Sequence, residues 1–226
     1  MDKLCAFLTV ITSVILPAAC FVFSCVRLRR DPRFAVGGIA SHALFGMAAD
    51  ELVFMRLFSL TPAMYMLSVD SHESFSLAVA VLSSALMCAG IYIIMKMISP
   101  GQLDSFTVIA FGIGFASSHV IWRSGINSVY LLITAKYRLY ENIALSFMAA
   151  SSLSMFIASV CCCVLISETV LRKKGVCAVL AFGILSMCVY PAALNSAGVF
   201  STSVSILSAV IGVICCVNIL KGRLVK

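Results

Sequence analysis

The chain has 226 residues, of which 62% are hydrophobic and 11% charged, and its mean hydropathy is +1.11. Soluble domains carry about 25% charged residues, so this composition excludes a soluble globular fold. A membrane span uses about 20 apolar residues, which leaves room for roughly seven spans and no separate soluble domain.

Apolar runs between polar breaks predict spans at 4–26, 34–58, 75–98, 106–134, 142–171, 175–194 and 201–220. The expectation is an all-α, polytopic membrane helix bundle of about seven transmembrane helices, forming one domain over 1–226. The first run carries only Lys3 ahead of it and is too long for a secretory signal. Leu16-Pro17-Ala18-Ala19-Cys20 has the wrong residue order for a lipoprotein cleavage site. Thr61-Pro62 and Asp70-Ser71-His72-Glu73 mark the connection after the second run, and Ser99-Pro100-Gly101-Gln102 the one after the third.

In the fourth run Gly112-Ile113-Gly114 follows no strand, so it reads as close helix packing through small residues and not as a dinucleotide loop. The fifth contains Cys161-Cys162-Cys163. Adjacent residues on a helix point about 100° apart, so the triplet cannot converge on one metal and reads as small apolar filler. Arg172-Lys173-Lys174 leads into the sixth run, and Asn195-Ser196-Ala197-Gly198 into the seventh, which holds Cys215-Cys216.

The 16 Lys and Arg against 9 Asp and Glu give a net charge of +7, which in so apolar a chain reads as topology and not as nucleic-acid binding. Assigned to alternate sides, Arg27, Arg29, Arg30, Arg33, Lys96, Arg172, Lys173, Lys174, Lys221, Arg223 and Lys226 collect on one side. The other side has only Lys3, Lys136 and Arg138, while Arg56 and Arg123 lie within spans. Positive residues stay cytoplasmic, so the N-terminus is expected outside and the C-terminus in the cytoplasm. The lipid bilayer is the expected partner, with other membrane proteins as further candidates and no nucleic acid.

Ionisable side chains at membrane depth cost several kcal/mol, beginning near ~2.5, and two spans hold most of them. The second has His42, Asp50, Glu51 and Arg56; the fourth has His119, Arg123 and Asn127 at i, i+4 and i+8, which aligns them on one helical face. Asp50 lies about 24 Å into its span and Arg123 about 26 Å into its own, at 1.5 Å per residue. Asp50 or Glu51 is therefore expected to neutralise Arg123, with His119 one turn deeper. Asp50, Glu51, His119, Arg123 and Asn127 form the candidate polar cluster, either a structural ion pair or the lining of a binding cavity. His42, His72 and His119 are scattered in sequence, so neither a metal site nor a cofactor is expected, and no catalytic set stands out.

Three places carry a family resemblance. Gly90-Ile91-Tyr92-Ile93-Ile94-Met95-Lys96 ends the third span, Phe111-Gly112-Ile113-Gly114 opens the fourth, and Tyr190-Pro191-Ala192-Ala193-Leu194 followed by Gly198 ends the sixth. In these, and in the order of its spans, the chain resembles the YhfC-type family of bacterial intramembrane proteases. That family is itself similar to the CAAX-processing and PrsW-type membrane proteases. The resemblance implies a protease scaffold, but the chemical residues differ. Met87-Cys88 stands where the family has a carboxylate pair, and Ile91 where it has Arg. Phe115 replaces a His, His119 lies near the place of a Glu, and Leu185 and Val189 replace a His and an Asp.

Three functions follow. The first is a catalytically degenerate pseudoenzyme that acts as a scaffold or as a binder of membrane helices or lipids. The second is an active intramembrane protease with a relocated polar site built from Asp50, Glu51, His119 and Arg123. The third is a small-solute transporter or channel subunit, which would need a polar pathway through the bundle.

Overall fold

A computed structural model describes residues 2–27, 32–48, 71–98, 104–136, 142–193 and 199–224. Among these the fold is all-α, with seven helices and no strand, as expected where backbone polar groups must be satisfied within each segment. Helix α1 covers 2–27 as Asp2–Val10, a π-helical turn at Ile11–Ile15, and Leu16–Arg27. Helix α2 covers 33–47, with Arg33–Ser41 α-helical and His42–Met47 π-helical. Helix α3 is His72–Ile98. Helix α4 covers 105–133 as Ser105–Val120, a π-helical turn at Ile121–Gly125, and Ile126–Ile133. Helices α5, α6 and α7 are Asn142–Arg172, Gly175–Ala193 and Val199–Leu224.

Five helical stretches are long and apolar enough to cross a membrane: Lys3–Val26, Glu73–Ile98, Ser105–Ile133, Ala144–Arg172 and Val199–Ile219. Helix α6 adds a shorter apolar stretch, Gly175–Tyr190. Outward-facing Phe7, Phe23, Leu44, Phe106, Ile133 and Phe200 are exposed. Such a belt would be an aggregation hazard in water and fits a hydrocarbon surround.

Helix α5 is the centre of the bundle, packed against α1, α3, α4, α6 and α7. Because neighbours enclose it, all three residues of Cys161-Cys162-Cys163 are buried although they point in different directions. Helices α2 and α4 approach to backbone contact. A methyl group on Gly114 would overlap the carbonyl of Ala35, and one on Gly38 would overlap the backbone of Phe111 and Phe115. Gly112, two residues from Gly114, faces Val160 and Cys163 of α5, so this glycine pair presses α4 against two neighbours.

Two of the π-helical turns also meet. Pro17 has no N–H to return to the carbonyl of Ser13, and in the widened turn ahead of it the Leu16 N–H donates to the Ile11 carbonyl. The corresponding turn of α4, where the Ile126 N–H donates to the Ile121 carbonyl, lies against it through Gly125. A Cβ there would sit 3.0 Å from the Ser13 carbonyl oxygen. At its start α4 is capped by Asp104, whose Oδ1 accepts the Thr107 N–H at 2.8 Å.

Candidate functional site

The Gly38–Gly114 contact sets the position of the polar side chains one turn further on. His42 follows Gly38 by four residues and Ser118 follows Gly114 by four, and His42 Nδ1 lies 2.9 Å from Ser118 Oγ. His119, the next residue of α4, turns toward α5, where its Nδ1 lies 3.0 Å from Ser159 Oγ. The two imidazoles are stacked obliquely, with ring centroids 5.1 Å apart and planes at 38°. Phe115 closes the group, edge-on to His42 at 5.5 Å and 5.9 Å from His119.

Both rings are fully buried, at 0% exposure. The Nε2 atom of each is buried and makes no hydrogen bond. Gly46 provides the space for His42, because a methyl group at that position would overlap the imidazole. Two histidines that are far apart in the sequence therefore meet. The cue was the Gly-x-x-x-His and Gly-x-x-x-Ser pair in the second and fourth spans, which sequence reasoning did not connect.

Two of the other expected cluster members lie among the described residues. Arg123 is half-buried within the π-helical turn Ile121–Gly125 and has an interaction partner. Asn127 is exposed, because the widened turn between it and His119 rotates the rest of α4 out of the i, i+4, i+8 alignment. Asp50 and Glu51 lie outside the described residues, and so does their pairing with Arg123. A buried carboxylate that sequence reasoning passed over is Glu168, at 1% exposure, with Oε2 3.2 Å from Arg172 Nε. The i, i+4 spacing of this pair was its signal.

The positions set against the chemical residues of the YhfC-type pattern meet in one core. Met87, Ile91, Phe115, Leu185 and Val189 are all at 0% exposure and belong to a single apolar cluster, with Cys88 and Tyr190 packed on its edge. Tyr92 is exposed on the outside of α3, with Lys96 Nζ 5.9 Å from its ring centroid. Among the described residues no group of three or more His, Cys, Asp or Glu is placed to hold a metal ion.

A cavity of about 330 Å³ opens between α1, α2 and α4, walled by apolar side chains including Phe21, Ile39, Met47 and Trp122. Ser117 and Ser118 bring hydroxyls to its wall. Ser117 donates to the Pro17 carbonyl at 2.9 Å, and Ser118 is the residue that meets His42. The arrangement combines an apolar groove, suited to an acyl chain or an apolar helix face, with a buried imidazole pair behind it.

No family model, no curated protein and no solved structure matches the chain.

Proposed function

We propose that this chain is a multi-pass membrane scaffold of the YhfC-like, intramembrane-protease type that has lost catalysis and binds membrane helices or lipids along the α1–α2–α4 groove. One observation carries the reading. The positions at which the resemblance puts carboxylates and histidines hold Met87, Phe115, Leu185 and Val189, which are packed together without exposure. Apolar side chains neither accept a proton nor hold a metal, and a close-packed core leaves no room for an attacking water. The charge distribution supports seven spans with the N-terminus outside and the C-terminus in the cytoplasm.

A photo-reactive amino acid at Trp122, on the groove wall, tests the binding half in native membranes. The expected result is a discrete adduct with a lipid or with a membrane helix, absent when the same group replaces Val179 on the outer face of α6. Equal labelling from both positions would overturn the groove assignment.

The second reading, an active enzyme with a relocated polar site, is favoured by the contact between Ser118 Oγ and His42 Nδ1 at the cavity wall. It asks a hydroxyl in the middle of a helix to act as nucleophile, where the neighbouring N–H groups serve the helix and not an oxyanion.

A further inference from the structure

Helices α1 and α2 each pack along α4 but barely on one another. The gap between them is the groove of about 330 Å³, with α4 as its floor. It therefore runs along the helix axes, the direction in which acyl chains stand in a bilayer. Val22 and Ile126 on its rim are exposed, so it opens sideways to the surrounding hydrocarbon. Its two hydroxyls are engaged within the protein, Ser117 by the Pro17 carbonyl and Ser118 by His42. The rest of the wall offers only apolar contact.

Lengths and charge at one end point to the occupant. From Ser117 to Ile126 the groove follows α4 for about 14 Å at 1.5 Å per residue, close to the ~15 Å of hydrocarbon in one leaflet. Arg27 ends α1 five residues beyond Val22, and Arg33 opens α2 six residues before Ile39. Both therefore stand about 8–9 Å past the same end of the groove, close to the ~5–8 Å that headgroups add on each side. Val26 and Val36, on the faces of Val22 and Ile39 one turn nearer the arginines, are exposed, so the apolar track continues toward them.

We infer that the groove holds one acyl chain of an anionic glycerophospholipid, with the lipid phosphate at the end marked by Arg27 and Arg33. The inference rests on the groove reading above and narrows it from helices or lipids to one lipid class. A helix at least about 10 Å across would lie over the groove without filling it, and its apolar face has no use for arginines at one end. Guanidinium groups bind phosphate oxygens through paired N–H donors, and a basic residue at the membrane surface favours an anionic headgroup about fivefold.

Trp122 is the only tryptophan in the chain and lies on the groove wall, so its emission reports occupancy directly. Full-length protein is reconstituted in phosphatidylcholine vesicles. The same fraction of lipid is then replaced by phosphatidylglycerol or by phosphatidylcholine, each brominated on its acyl chains to quench tryptophan on contact. The expected result is stronger quenching by the brominated phosphatidylglycerol, with a preference of about 5–25-fold for two arginines. Arg27→Gln and Arg33→Gln should each lower that preference about fivefold, and added salt should lower it in the wild type. If the variants do not fold, the wild-type salt series decides. Equal quenching by the two lipids, or a preference that resists both substitutions and salt, would overturn the inference. Equal quenching together with a discrete helix adduct from the photo-reactive group at position 122 would remove the anionic lipid and leave the groove reading standing. Equal quenching with equal labelling from positions 122 and 179 would remove both.

Discussion

His42 on α2 and His119 on α4 lie with their ring centroids 5.1 Å apart, and glycine brings them there. Gly38 and Gly114, one turn below, let the two backbones touch.

Gly38→Ala and Gly114→Ala should therefore separate α2 from α4 and destabilise the protein by about 1–3 kcal/mol each, the usual cost of overpacking. Gly183 has nothing within 4 Å of where a Cβ would stand, so Gly183→Ala should be neutral or gain up to about 1 kcal/mol from helix propensity. Thermal unfolding in detergent measures all three. Equal melting points would show that the close approach is not what holds the helices.

The apolar core that fills the places of family resemblance should be costly to hollow out. Phe115→Ala is expected to lose about 3–5 kcal/mol and Leu185→Ala about 2–5 kcal/mol. Phe106, 56% exposed on the outside of the same helix as Phe115, should tolerate alanine within about 0.5 kcal/mol. Chemical denaturation in mixed micelles provides the comparison.

Reporter fusions ending at Asp70 and at Lys174 should report opposite sides of the membrane, Asp70 outside and Lys174 in the cytoplasm. The same side for both would overturn the orientation drawn from the basic residues.

Arg123→Leu should lower folded yield by leaving an acid uncompensated at membrane depth. Combining it with Asp50→Asn and Glu51→Gln should restore part of the loss, measured as monodisperse protein on size-exclusion chromatography. A triple variant no better than Arg123→Leu alone would remove both acids as partners.

The helices were legible because hydropathy alone marks where a chain can cross hydrocarbon, and Arg172-Lys173-Lys174 falls where α5 gives way to α6. The small-residue reading of Gly112 and Gly114 was legible too, since glycine in an apolar helix has few uses besides close packing. Which helices meet was not. His42 and His119 stand on spans separated by a third, and nothing local in either states that Gly38 will face Gly114. The departure of Asn127 from the face of His119 was hidden for another reason. An i, i+4 pattern assumes an unbroken α-helix, and the widened turn at Ile121–Gly125 has no proline of its own to announce it, whereas Pro17 does mark the one in α1. The burial of all three residues in Cys161-Cys162-Cys163 depends on α5 being surrounded, which hydropathy does not encode.

Under the proposed function the apolar core of Met87, Phe115, Leu185 and Val189 is chemically silent. Purified protein reconstituted in liposomes with a panel of single-span substrates tests it most directly, with products read by mass spectrometry. The account predicts no cleavage above that of empty liposomes, for the wild type and for His119→Ala alike. Cleavage by the wild type that His119→Ala abolishes would contradict it and make the relocated polar site the better description.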